Sequence, residues 1–168
     1  MHLLVIRHAI AEDRDAFGRT GEDDDLRPLT DEGREKMIRG AAGLRVLLPT
    51  LDLLASSPLV RAQQTAAIVA KAYGMEAIET TSTLEPDADL ARFESWIAGQ
   101  PRAATVAVVG HEPHLSTLVT WLLAGVDASH IVLKKGAACA LAFDGRVRRA
   151  EGVLLWLQTP AALRMLAR

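Results

Sequence analysis

Apolar positions along the chain fall into short unbroken runs and helix-spaced sets, separated by polar segments. Residues 3–6 are four branched apolar residues that stop at the charged pair Arg7-His8. Apolar on both faces, they predict a buried, central, parallel strand. Residues 12–28 are polar, with an acidic run at 22–25 bounded by Gly21 and Pro28, and predict a surface loop. Thr30 offers a helix cap, with Asp31 and Glu32 where the positive end of a helix favours anions. Met37, Ile38, Ala41, Leu44, Val46 and Leu48 then keep roughly helical spacing as far as Pro49.

The alternation continues. Residues 51–55 predict a second strand, and Ser57-Pro58 after it reads as a helix start, with Ser57 as the cap and Pro58 as the first helical residue. That helix runs through Arg61, Thr65, Ile68 and Val69 to Gly74. A short strand at 77–80, a loop and a helix near 90–98 follow. Residues 104–109 form another apolar strand ending at Gly110-His111, and Pro113 opens a helix carrying Leu115, Leu118, Val119, Leu122 and Leu123. Residues 137–143 and 153–157 read as strands, and Asp144-Gly145 between them is a hairpin-type signal that makes them antiparallel edge strands. Residues 161–167 close the chain as a short helix. Strands alternating with helices predict an α/β fold, layered as an α/β/α sandwich around a mostly parallel sheet. With 168 residues and no linker or repeat, one domain spanning 1–168 is expected.

Composition narrows the function. Hydrophobic residues make up 49% of the chain and aromatics only 4%, so the core must be built from Ala, Leu, Val and Ile. A formal charge of -2 argues against a protein that coats nucleic acid or an anionic membrane. Any phosphate must be gripped by a few aligned cations. Cys139 is the only cysteine, which excludes an intrachain disulfide and reads as a core residue. The apolar run before Arg7 is too short for a signal-peptide core or a membrane span, and a cytoplasmic protein is expected.

Three predicted strands end abruptly in polar residues: Arg7-His8, Ser56-Ser57-Pro58 leading to Arg61, and Gly110-His111. Ligands gather at the carboxyl ends of strands in open parallel sheets, so two arginines and two histidines from distant segments should meet on one edge. Guanidinium groups donate paired hydrogen bonds to phosphoryl oxygens. Arg61, one turn into its helix, leans back toward the anion-favouring end, where Ser57 and free backbone donors assist. A neutral imidazole attacks phosphorus and forms a covalent intermediate. Neighbouring arginines should lower its ordinary pKa of about 6.5. A second, protonated histidine would stabilise the charge on the transferring group. No metal or other cofactor is required for this chemistry.

Arg7-His8-Ala9, Ser56-Ser57-Pro58-Leu59-Val60-Arg61-Ala62-Gln63-Gln64-Thr65-Ala66 and Val109-Gly110-His111 together resemble the histidine phosphatase, or phosphoglycerate mutase-like, superfamily. The resemblance implies the phosphoglycerate mutase-like fold, makes His8 the residue phosphorylated during turnover, and makes Arg7, Arg61 and His111 the phosphate pocket. The short chain, the Arg-His-Ala-Ile-Ala start and Leu26-Arg27-Pro28-Leu29-Thr30 look most like SixA-type phosphohistidine phosphatases. Ala9 stands where many members have Gly, a small change.

The general acid departs further. Relatives place a carboxylate in an insertion between the second and third motifs, but only 45 positions separate Thr65 from Gly110. Glu85 is the nearest candidate, with Asp87 behind it. A phosphoramidate needs less help in departing, so the short insert implies an open site that admits a phosphohistidine on a partner protein. Alternatives are a small-molecule phosphomonoesterase using the same pocket, a mutase, which a lidless site suits poorly, and a non-catalytic phosphate-binding regulatory module. Arg27 either binds substrate phosphate or, the favoured reading, pairs with the acidic run. That run itself reads as solvated. His2, His114 and His130 are expected to have no catalytic role, although His114 lies close enough to His111 to line the pocket. Trp96, Trp121 and Trp156 read as packing residues.

Overall fold

The computed structural model describes residues 1–100 and 103–167. Its sheet has six strands: β1 (His2–Arg7), β2 (Leu53–Ser56), β3 (Glu79–Thr80), β4 (Thr105–Gly110), β5 (Ala138–Ala142) and β6 (Val153–Gln158), in the spatial order β3-β2-β4-β1-β5-β6. Pairings β2–β3, β2–β4 and β1–β4 are parallel, while β5 runs antiparallel to both β1 and β6. The expected α/β sandwich with a mostly parallel sheet is therefore observed. Of the two strands expected at an antiparallel edge, only β6 is an edge; β5 lies inside the sheet. The two are joined by residues 143–152, longer than the tight hairpin that Asp144-Gly145 suggested.

Alternation along the strands sends side chains to two cores. On one face Leu3, Val5, Val106 and Val108 pack with Phe93 and Ile97 of α4 (Leu90–Ala98) and with Leu115, Leu118 and Leu122 of α5 (His114–Ala124). On the other, Leu4, Ile6, Ala107 and Val109 meet three helices: α2 (Asp31–Leu47), α3 (Val60–Tyr73) and α6 (Pro160–Leu166). Residues of β1 and β4 are buried on both faces, as the continuous apolar runs require. Cys139 is buried, and desolvation pushes its thiol up to about 12. No helix among the described residues is long and apolar enough to cross a membrane.

Two helix boundaries differ from expectation. The polar segment 12–28 contains α1 (Arg14–Gly18) and a 3-10 turn at Asp24–Leu26. Asp13 caps the first through the Ala16 N–H (2.9 Å) and Asp23 caps the second through the Asp25 N–H (3.0 Å). Short polar helices of this kind leave no apolar periodicity to read. Ser57-Pro58 precedes α3 instead of starting it, because the Ser57 hydroxyl turns toward His111. The helix ends at Gly74, as expected, and Gly74 supplies a left-handed cap (φ 69°).

Helix α2 lies close to its neighbours because glycine faces them. A Cβ at Gly43 would stand 1.9 Å from the Leu163 carbonyl oxygen, and one at Gly33 would stand 2.0 Å from that of Ile10. Gly40, on the same helix, has open space at its Cβ position. Gly43→Ala should therefore destabilise the fold by about 1–3 kcal/mol, while Gly40→Ala should stabilise it by up to about 1 kcal/mol through helix propensity. Urea unfolding of the two variants checks the opposite signs.

Candidate functional site

Register sets the site. Arg7 pairs with Gly110 and Ser56 with Val109, so β1, β4 and β2 finish side by side. The ladder continues one bond further, with the His8 N–H on the Gly110 carbonyl (3.0 Å) and the Ser57 N–H on that of Val109 (3.0 Å). His8, His111 and Ser57 thus stand in a row at the carboxyl edge, and the imidazole centroids of His8 and His111 are 5.1 Å apart.

His8 is 5% exposed. Its Nδ1 lies 2.7 Å from the carbonyl oxygen of Ala9. A carbonyl only accepts, so Nδ1 carries the ring proton and Nε2 keeps its lone pair. Burial, and then the charges of Arg61, Arg7 and Lys135, outweigh that hydrogen bond and lower the pKa to about 3. The direction is the expected one, but burial contributes more than the arginines do. His111, 2% exposed, is lowered to about 2 by burial and then by His8 and Arg61. Burial first, and then its charged neighbours, favour the neutral ring, against the expectation of a protonated second histidine. Ser57 Oγ is 2.9 Å from His111 Nε2 and accepts from the Leu59 N–H. With the hydroxyl donating to Nε2, Nδ1 holds the proton, and that atom has no partner among the described residues.

Arg61, 3% exposed, lies in the first turn of α3. It donates through Nη1 to the Asp24 carbonyl (2.8 Å), and Nη2 lies 3.2 Å from the Asp24 carboxylate. Arg27 bonds the other carboxylate oxygen through Nε (2.8 Å) and the Glu12 carbonyl through Nη1 (2.8 Å). Arg14 approaches the same carboxylate at 3.3 Å. One aspartate thus serves three guanidinium groups, and these hold its carboxyl well below the usual carboxylate range, the Arg27 bond contributing most. The acidic run is therefore not simply solvated: Glu22, Asp23 and Asp25 are exposed, but Asp24 is part of the site. Arg27 takes the pairing favoured for it.

Arg7 reaches the site by a different route. Its Nη1 donates to the Leu133 carbonyl (2.6 Å), and the Leu133 N–H donates to Glu112 Oε1 (3.1 Å). Glu112 Oε2 accepts from the Ser116 hydroxyl (2.6 Å). The residue after His111 thereby fixes the loop that fixes Arg7. Thr65 makes a similar link, accepting from the Ala9 N–H (3.0 Å) and donating to the Arg61 carbonyl (2.7 Å). The Nε atoms of Arg7 and Arg61 are buried without a partner among the described residues, and buried donors of this kind call for an anion.

Arg7, His8, Arg27, Arg61 and His111 line one cavity of about 330 Å³. Glu85 does not line it; the 3-10 turn at Ser82–Leu84 presents Pro86 instead, so the expected acid stands outside. His114 is buried with neither ring nitrogen bonded, and it does not line the cavity either. Sequence reasoning missed Glu12, Asp13, Arg14, Glu112 and Lys135, all of which do. The carboxylates of Asp13 and Glu112 are already bonded, whereas that of Glu12 has no hydrogen-bond partner among the described residues. Glu12 and Glu112 carried one signal, closeness in sequence to the two histidines.

Comparison with known proteins gives the family. The family model of the histidine phosphatase superfamily (branch 1) matches residues 3–88. The chain belongs to the histidine phosphatase superfamily. An uncharacterized protein from Picosynechococcus sp. is 32% identical over 143 residues, covering 84% of each chain. The solved protein histidine phosphatase SixA in complex with tungstate shares 23% identity and superposes with a TM-score of 0.83, covering 97% of this chain and 99% of its own. A candidate phosphohistidine phosphatase SixA from Nakamurella multipartitia shares 25% identity at a TM-score of 0.77, covering 96% of each chain. The α-ribazole phosphatase from Shigella flexneri shares 19% identity at 0.70, covering 95% of this chain and 97% of its own. The histidine phosphatase fold is thus shared with members that act on different phosphorylated compounds.

Two outcomes follow from the charges. Nitrogen-15 NMR should show the His8 and His111 rings neutral from pH 8 down to about 5, and protonation of either near its ordinary value of about 6.5 would contradict the burial argument. Asp24→Asn should cost about 1–2 kcal/mol, less than for a fully buried pair because the Asp24 side chain is 34% exposed. Inorganic phosphate should restore more of the melting temperature in this variant than it adds to wild type, measured by differential scanning fluorimetry.

Proposed function

We propose that this chain is a phosphatase that transfers a phosphoryl group from phosphohistidine on a partner protein to His8 and then to water. The observation that carries the covalent step is the Nδ1–Ala9 carbonyl bond on a buried, neutral His8. It turns Nε2 into the free nucleophile and supports the ring as its lone pair is committed to phosphorus. The buried Nε donors of Arg7 and Arg61, with the His111 Nδ1–H, then hold the phosphoryl oxygens. In the first step the Nε2–P bond forms as the donor's N–P bond breaks, and the departing imidazole takes a proton from solvent, while His8 keeps its own on Nδ1. In the second, water attacks phosphorus as the Nε2–P bond breaks, inorganic phosphate leaves, a proton returns to solvent and the ring is neutral again. Lys135 adds charge at the cavity wall. A compact cavity bordered by loops, with the Glu85 segment contributing only Pro86, supports a donor presented on a protein surface. The description of SixA as a protein histidine phosphatase supports the same donor.

A second reading, hydrolysis of a small phosphomonoester, draws on Glu12, whose unbonded carboxylate lines the cavity where an alkoxide leaving group needs a proton. One experiment separates the two. The protein is given a phosphohistidine peptide and a sugar phosphate, an alkyl monoester whose leaving group needs a proton, and the phosphoenzyme is trapped. An acid-labile phosphoenzyme should form in wild type and be lost in His8→Ala, with turnover down roughly a thousandfold or more. kcat/KM should favour phosphohistidine, and Glu12→Gln should leave that reaction nearly unchanged while slowing the monoester by roughly a hundredfold. Turnover of phosphohistidine by His8→Ala would overturn the mechanism, and a higher kcat/KM for the monoester would overturn the donor.

A further inference from the structure

Beside the catalytic cavity lies a second, of about 500 Å³, and the two share Arg7 and Lys135 in their walls. It is bounded by the segment after β1, by α2, by the turn at 134–136 and by the start of α6. Ile10, Met37, Pro160 and Ala161 give it an apolar floor. Its width depends on glycine: Gly33 lets α2 approach the Ile10 backbone, and Gly40 leaves its own position open.

The charge around this groove is one-sided. Lys36, Lys134 and Arg164 join Arg7 and Lys135 on its wall, and no carboxylate lines it among the described residues. The catalytic cavity, by contrast, mixes its cations with Glu12, Asp13 and Glu112. Lys36 pairs with Glu32 one helical turn away. Lys134, Lys135 and Arg164 have no ion-pair partner among the described residues. Such a concentration is notable in a chain whose formal charge is -2, and it is placed where it focuses attraction on one edge of the catalytic cavity.

We propose that this groove receives an acidic segment of the partner protein next to its phosphohistidine. The inference rests on the phosphohistidine reading above and adds the sequence character of the substrate. A single phosphate is gripped by converging guanidinium groups, as in the catalytic cavity. Here the cations stand on α2, on a turn and on α6, an arrangement that suits several carboxylates spaced along a chain, whose methylene groups lie on the apolar floor. Flexible lysine heads serve such spaced, solvated contacts well.

The test compares two phosphohistidine peptides, identical except that one carries three Asp or Glu residues beside the phosphohistidine and the other carries Asn or Gln there. The acidic peptide should have a kcat/KM about tenfold higher, chiefly through KM, and lose most of that advantage at about 0.5 M salt. Combining Lys36→Glu, Lys134→Glu and Arg164→Glu should reverse the preference, with the hydrolysis of p-nitrophenyl phosphate reporting that the variant is folded. Should that variant not fold, Lys134→Ala with Arg164→Ala should lower the preference to about threefold. Equal rates on the two peptides in wild type, or a preference that survives the substitutions, would overturn the groove while leaving the phosphatase reading in place. Hydrolysis of p-nitrophenyl phosphate with no turnover of either peptide would instead remove the phosphohistidine reading, and this inference with it.

Discussion

Four guanidinium groups beside two imidazoles can share one small space only if something balances their repulsion, and Asp24 does so for three of them. Its carboxylate meets Arg14, Arg27 and Arg61 from three directions. Without that shared counterion, burying Arg27 and Arg61 would leave two nearly desolvated cations facing each other. The rest of the site follows from the balance. Arg61 is held while keeping its Nε unpartnered, Arg27 is tied back to the Glu12 carbonyl, and the positive charge that remains adds to burial in opposing a proton on either histidine.

A second constraint is the pairing of β1 with β4. Because both are parallel and buried on both faces, a slip of one residue would exchange the two cores and separate His8 from His111. Packing on both sides of the sheet therefore fixes the 5.1 Å between the rings. The loops need carry no such precision, and they have their own ties: Thr65 joins the segment after β1 to α3, and Glu112 joins the segment after β4 to the Leu133 carbonyl that holds Arg7.

Much of this could be read in the sequence, for a definite reason. Apolar runs that stop at Arg7-His8, Ser56-Ser57 and Gly110-His111 are strands whose ends carry chemistry, and strand ends in a parallel sheet converge. What could not be read was decided by partners far away in the chain. Asp24 looks like one of four exposed acids until Arg61, 37 residues on, is folded against it. Glu85 and Pro86 follow the same 3-10 turn, yet only Pro86 reaches the cavity wall. Lys134 and Lys135 lie in a stretch without periodicity, placed by the bonds that the neighbouring Leu133 makes to Arg7 and Glu112 rather than by any pattern of their own.

The bond from His8 to the next residue's carbonyl has a consequence for the regiochemistry of the proposed reaction. Nδ1 is engaged by the backbone of its own chain, so the phosphoryl group is received on Nε2 whichever ring nitrogen of the donor it leaves. The choice of isomer is thus made within a dipeptide and does not depend on the identity of the donor. The contribution of residue 9 to the reaction is thus its backbone carbonyl, while the methyl of Ala9 packs in the core.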